Sequence, residues 1–165
     1  MCHKYFQVTN KVWIYDVAEK HWTPGPSLKT YRHDHSCMVD QKTETIHVLG
    51  GNNYRGLYLK TTETLKLNEA NTSWKMGPEL KELLTYSAAV SSKSNVFVGY
   101  LIGGSTRADS GGDKRYGGQS DSRSTSKIWA LQRTNMQWVE LPKTLKFHRR
   151  LHTVVNVNDN QIPGC

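Results

Sequence analysis

Alternation of apolar and polar residues along this chain predicts a series of short β-strands separated by turn residues. The predicted strands lie at 13–17, 35–39, 45–49, 62–67, 86–90, 96–102, 127–133 and 151–157, and around Trp22, Trp74 and Trp138. Glycine, proline and small polar residues bound most of these segments, as is usual at strand ends. The pattern therefore predicts an all-β protein.

The strands belong to an internal repeat. The first two of the recurring tryptophans lie 52 residues apart, and two glycine pairs lie 53 residues apart. A proline follows each tryptophan at the fourth position. The recurring landmarks are Tyr15, Leu67 and Leu131, each seven residues before a tryptophan, then Trp22, Trp74 and Trp138, and the glycine pairs Gly50–Gly51 and Gly103–Gly104.

A period near 50 residues with four strands per period is typical of a kelch-type β-propeller. The glycine pair after an apolar strand, followed by an aromatic residue or leucine and then by tryptophan, resembles the kelch motif over nearly the whole chain. The second unit has Leu67 where the family usually has tyrosine, which indicates a divergent member. The resemblance implies blade units at 1–30 (partial), 31–82, 83–146 and 147–165 (partial).

Within such blades, we expect all five tryptophans to pack in the core, with Trp13, Tyr15 and Val17 on one face of their strand between neighbouring blades. We expect the glycine pairs to adopt a positive φ or to allow a close approach of backbone. Cys37 lies in an alternating apolar stretch, and we expect it to be buried.

The chain holds only two complete blade patterns, fewer than the roughly four to eight blades that close a propeller. Both ends interrupt the repeat at the same place, so we expect a piece of a longer kelch protein. A short protein that closes by forming oligomers is the alternative. Unpaired blade faces favour association, and we therefore expect self-association when the chain is produced alone.

Most of the net charge of +8 lies in loops expected on one face of the propeller. The loops at 26–35, 52–61, 78–86, 105–126 and 142–150 hold 13 Lys and Arg against 6 Asp and Glu, and the rest of the chain holds 9 against 8. Such a face favours an acidic or phosphorylated peptide as partner. The candidate partner-binding residues are Arg32, Arg55, Arg107, Arg115, Lys146, Arg149 and Arg150.

The segment 105–126 is rich in glycine and serine, and we expect it to be a mobile inserted loop on that face. Nucleic acid is a weaker candidate partner, because aromatic residues do not interleave the basic residues in the sequence. No apolar run is long enough to cross a membrane, and no secretory signal is present, so the cytoplasm is the expected location.

No catalytic motif, cofactor site or metal site is predicted. His33 with His35 and His148 with His152 are the clusters that most resemble metal ligands, but no cysteine or carboxylate set at fitting spacing completes a site. The kelch resemblance implies a non-enzymatic protein-binding module, in many members the substrate-recognition part of a cullin-type ubiquitin ligase adaptor. The alternatives are an actin-binding or scaffold kelch protein, and a fragment of a kelch-like copper oxidase.

Overall fold

The computed structural model of this chain describes residues 8–107 and 123–155, and every regular element in these two ranges is a β-strand. All strand pairs are antiparallel. These residues also contain no apolar helix of membrane-spanning length. The prediction of an all-β protein is confirmed.

Three sheets follow one another along the chain, and a fourth, small sheet is formed by strands of two or three residues in the connections between and within the second and third sheets. The first sheet pairs β1 (Val12–Asp16) with β2 (His21–Gly25). The second has the order β3 (Ser36–Asp40), β4 (Thr45–Leu49), β5 (Thr62–Lys66), β6 (Lys75–Met76). The small sheet places β10 (Ser105–Arg107) between β7 (Leu83–Thr85) and β11 (Arg123–Ser124). The third sheet has the order β8 (Ala88–Ser91), β9 (Phe97–Ile102), β12 (Ile128–Gln132), β13 (Trp138–Glu140).

Two apolar clusters join the three sheets in series. The cluster between the first and second sheets contains Leu28, Val48, Leu65 and Trp74. The cluster between the second and third sheets contains Met38, Leu49, Leu80, Leu84, Val98, Leu101, Trp129, Leu131 and Trp138. Polar contacts add to the second junction, where Ser36 Oγ donates to the Ser87 carbonyl at 2.6 Å. Neighbouring sheets in the chain thus bury apolar side chains against one another.

Two expectations about strands are wrong. Residues 151–155, the described part of the strand predicted at 151–157, do not form a strand. Cys37 is exposed, because the buried positions of β3 are Ser36, Met38 and Asp40, which places Cys37 on the outer face. The alternation of apolar and polar residues predicted this strand correctly, but it did not predict which face of the strand is buried.

The tryptophans divide into two groups. Trp74, Trp129 and Trp138 are buried, as expected, in the junctions between sheets. Trp13 and Trp22 are instead exposed, at 55% and 63% of their surface. Tyr15 and Val17 are exposed as well. The expectation of core packing is wrong for these residues, since no described part of the chain covers this side of the first sheet.

Leu67 is not the structural counterpart of Tyr15 and Leu131. Tyr15 pairs directly with Trp22, and Leu131 pairs with Trp138. In the second sheet, Thr64 pairs with Lys75, so the same register places Leu65 opposite Trp74. The segment between Leu65 and Trp74 is two residues longer than the equivalent segments of the first and third sheets. Leu67 therefore lies beyond the end of β5 and is half exposed.

Candidate partner-binding face

The glycine pairs shape the ends of the second and third sheets where the basic loops emerge. Gly51 and Gly104 have φ angles of +94° and +108°. A Cβ atom on Gly51 would lie 2.5 Å from the His33 carbonyl oxygen, and one on Gly104 would lie 2.8 Å from the Thr85 carbonyl oxygen. The backbones therefore approach more closely here than any other residue allows, and the expected role of the glycine pairs is confirmed.

The same glycines connect loops of successive sheets. The Gly51 N–H donates to the Leu84 carbonyl and the Gly104 N–H to the Arg149 carbonyl, both at 2.8 Å. A second ladder joins residues with positive φ, since Tyr86 N–H donates to the Asp34 carbonyl and Leu151 N–H to the Tyr86 carbonyl, both at 3.1 Å. These bonds bring the loops after β2, β6 and β13 together at one end of the sheets.

Four of the predicted partner-binding residues are exposed at this end of the structure: Arg55, Lys146, Arg149 and Arg150. We call these four residues and the loops that carry them the basic loop face. Arg107 belongs to β10, but its side chain is outside what the structure describes, and Arg115 lies outside the described residues altogether.

Arg32 is not part of the exposed surface, so its prediction as a partner-binding residue is wrong. Its side chain and that of Glu63 are both 0% exposed, and they form an ion pair at 2.8 Å. Arg32 also donates to the carbonyls of Gly50 and Thr61, at 2.7 and 3.0 Å. The carboxylate of Glu63 accepts bonds from the backbone N–H groups of Lys29 and Thr30, at 2.6 and 3.0 Å. This charged pair holds the loop after β2 against the second sheet.

Two exposed tyrosines extend the basic loop face, and sequence reasoning missed them. The rings of Tyr31 and Tyr54 meet edge to face with centroids 6.4 Å apart. The Arg55 guanidinium lies 5.2 Å from the centroid of the Tyr54 ring, a distance typical of cation–π contact. Aromatic and basic side chains are thus adjacent here, contrary to the expectation drawn from their spacing in the sequence. The tyrosines were visible in the loop segments, but their contact depends on two loops meeting.

One carboxylate lies among these basic groups. Asp34 Oδ2 accepts from Asn52 Nδ2 at 3.2 Å and lies 2.6 Å from His33 Nδ1. Its hydrogen bond with Tyr86, and then burial, raise the pKa of that tyrosine, while the positive charge of Arg150 partly opposes the increase. Leu151, next to Arg150 in the chain, donates its N–H to the Tyr86 carbonyl, and this bond joins the loop after β13 to the centre of the face.

A cavity of about 320 Å³ lies at the opposite end of the second sheet, near the turns from β3 to β4 and from β5 to β6. There Asp40 and Arg133 form an ion pair at 2.7 Å that joins the second and third sheets. Burial alone would raise the pKa of Asp40, but hydrogen bonds, above all from Arg133, outweigh it and lower the pKa. His47 also lines this cavity and is nearly fully buried, which lowers its pKa.

The histidine clusters do not form a metal site within residues 8–107 and 123–155, where no group of three or more His, Cys, Asp or Glu residues could hold an ion. His33 is occupied by its contact with Asp34, and His148 Nδ1 lies 2.8 Å from the Ser124 carbonyl. These histidines therefore take part in loop structure.

The comparisons with known proteins bear on the fold. No protein-family model matches this chain, and no curated protein matches its sequence. YjhT is among 126 chains of solved structures that match, with a TM-score of 0.71 and 13% sequence identity. The match covers 87% of this chain and 41% of the YjhT chain. At this identity the likeness concerns the fold alone, and this chain spans less than half the length of YjhT.

Proposed function

We propose that this chain is part of a kelch-type β-propeller and that it serves as a non-enzymatic module for binding other proteins. The packing of two similar four-stranded sheets in series, each with a glycine pair after its second strand, supports a propeller. In this proposal the module acts in the cytoplasm as the substrate-recognition part of a cullin-type ubiquitin ligase adaptor.

The basic loop face is the proposed binding site, and its partner is an acidic or phosphorylated peptide. The observation that carries this proposal is the convergence of Arg55, Arg149 and Arg150, all exposed, on loops that hydrogen bonds hold together. Arginine binds carboxylate and phosphate groups through paired hydrogen bonds. Tyr54, beneath Arg55, adds an apolar surface against which a peptide side chain could pack.

The test measures binding of a fluorescein-labelled deca-glutamate peptide by fluorescence anisotropy at several salt concentrations. We expect the double variant Arg149→Glu/Arg150→Glu to bind about three- to tenfold more weakly, with a shallower dependence on salt. Each exposed charge contributes modestly, so two reversals together give a measurable change.

The matched control is Lys75→Glu/Lys93→Glu. These exposed lysines lie at the opposite end of the sheets, Lys75 at the start of β6 and Lys93 in the turn after β8. Their reversal changes the net charge by the same amount. An equal loss of binding in both double variants would show attraction by net charge alone and would refute a specific face. A labelled deca-glutamine peptide should not bind to any of these proteins.

A further inference from the structure

Tyr15 and Trp22, on the first sheet, occupy positions that are buried in the other two sheets. Tyr15 is the fourth residue of β1 and pairs with Trp22 at a ring distance of 4.9 Å. The fourth residues of β5 and β12 are Leu65 and Leu131, which accompany Trp74 and Trp138 in the apolar clusters. The three pairs are therefore structurally equivalent.

Their exposure differs sharply. Trp74 and Trp138 are 3% and 1% exposed, whereas Trp22 is 63% exposed. Trp74 and Trp138 are each covered by the sheet that precedes them in the chain. No described residue precedes β1 in a comparable sheet, so the indole of Trp22 and the ring of Tyr15 remain open.

The covered tryptophans show what such a cover looks like. The Trp74 indole N–H donates to the Pro26 carbonyl at 2.8 Å, and the Trp138 indole N–H donates to the Pro78 carbonyl at 3.2 Å. Two residues after each proline, Leu28 and Leu80 insert into the same apolar cluster. The loop that leaves the preceding sheet thus contributes one proline carbonyl and one leucine to each cover.

The loop after the third sheet offers a further set of these groups. Pro142 follows Trp138 by four residues, as Pro26 and Pro78 follow their own tryptophans. Leu145 donates its backbone N–H two residues ahead of β12, to Ser126, just as Leu28 bonds to Asn10 ahead of β1 and Leu80 to Lys60 ahead of β5. Leu145 is only half-buried and Pro142 is exposed, so neither is covered as its equivalents are.

We propose that a second copy of this chain covers the face formed by Tyr15 and Trp22, by placing its residues 142–145 there. The Trp22 indole N–H of one copy then donates to the Pro142 carbonyl of the other, and Leu145 packs against the two rings. The contact repeats a junction that the chain already makes twice within itself. The matched parts of two copies would together cover about four fifths of the YjhT chain.

This contact joins two different surfaces, and so it is heterologous. Such contacts close a ring when the rotation between copies permits and otherwise continue as a chain of copies. Tyr15 and Trp22 are not part of the basic loop face, whereas residues 142–145 belong to the loop that also carries Lys146. Substitutions at Trp22 therefore test this contact separately from the proposed peptide site.

The first experiment measures self-association of the 165-residue chain by sedimentation velocity from about 1 to 100 μM. We expect the wild-type chain to associate, Trp22→Ala to weaken association by more than about tenfold, and Trp22→Phe, which loses only the N–H donor and part of the ring, to fall between them. The matched control is Tyr54→Ala, which removes an aromatic ring that is 62% exposed on the basic loop face.

Emission from Trp22 gives a second measurement. Because association buries its indole, the tryptophan emission of the wild-type chain should shift to shorter wavelength as concentration increases, and Trp22→Phe should lose this shift. A wild-type chain that is monomeric throughout the range overturns the proposal. Equal weakening by Tyr54→Ala overturns it as well.

Mixing two variants tests whether the contact joins two different surfaces of the two copies. Trp22→Ala lacks the first surface and Leu145→Asp lacks the second, so each alone should be largely monomeric, while an equal mixture should form a one-to-one dimer. If Leu145→Asp alone associates as the wild type does, copies meet through identical surfaces and the proposal is wrong. Circular dichroism checks folding, and Leu145→Ala replaces the aspartate variant if that variant does not fold.

Discussion

Replacing Glu63 by alanine tests the buried ion pair that holds the loop after β2 against the second sheet. In the folded chain, the carboxylate accepts hydrogen bonds from Arg32 and from the backbone N–H groups of Lys29 and Thr30. The substitution leaves all three donors without this acceptor, and one of them carries a positive charge with no exposed surface. An unpaired buried charge is among the most destabilising changes in a protein.

The expected loss follows from this environment. Removing one partner of a buried ion pair costs about 3–5 kcal/mol, since the remaining charge keeps its desolvation penalty without its compensating partner. For a domain of this size, each kcal/mol lowers the melting temperature by about 2–4 °C, so the total decrease is about 6–20 °C. Glu63→Gln, which keeps the shape and one acceptor oxygen, should cost less.

Thermal and urea unfolding followed by circular dichroism measure this loss. The control is Glu69→Ala, which removes an exposed carboxylate from its pair with Lys66 and should leave the unfolding midpoint unchanged. The double variant Arg32→Met/Glu63→Leu removes both charges and should be more stable than either Glu63→Ala or Arg32→Ala. A change in Glu63→Ala as small as that of the control would refute our account of this ion pair.

Two further predictions concern the glycine corner and the buried histidine. Gly51→Ala should destabilise the fold by more than about 1 kcal/mol in a urea titration, because φ of Gly51 is +94° and the new Cβ would lie 2.5 Å from the His33 carbonyl oxygen. Gly56→Ala, where φ is +71° and no atom lies within 4 Å of the new Cβ, should cost less in the same titration. Burial lowers the pKa of His47, although the negative charge of Asp40 opposes this shift. The neutral ring therefore stabilises the fold above the ordinary histidine pKa of about 6.5, and this contribution declines as pH falls through the lower pKa of the folded state. His47→Tyr should therefore flatten the decrease in unfolding free energy between about pH 7 and 5, and parallel pH profiles of the two proteins would contradict this explanation.

The sequence determined most of the longer strands and their corners, because both depend on local chemistry. Alternation identified β4 at its observed bounds and located β5, β9 and β12 to within one residue at each end. The glycine pairs indicated positions of positive φ, and the structure shows them at Gly50, Gly51, Gly103 and Gly104. Each of these signals is contained in a few neighbouring residues, where φ, ψ and the direction of successive side chains are set.

The tertiary structure decided which side chains are covered, because burial depends on what lies opposite. Trp22 and Trp74 have the same local sequence pattern, yet within the described residues only Trp74 packs against a preceding sheet. Arg32 looked like its exposed neighbours in the loops until Glu63, 31 residues away, was found beside it. The register between β5 and β6 places Leu65, and not Leu67, opposite Trp74, and it likewise depends on the length of the turn between these two strands. The neighbouring residues in the sequence limit the local conformation and contacts that a residue can adopt. Contacts between distant segments then determine which of these the folded chain contains.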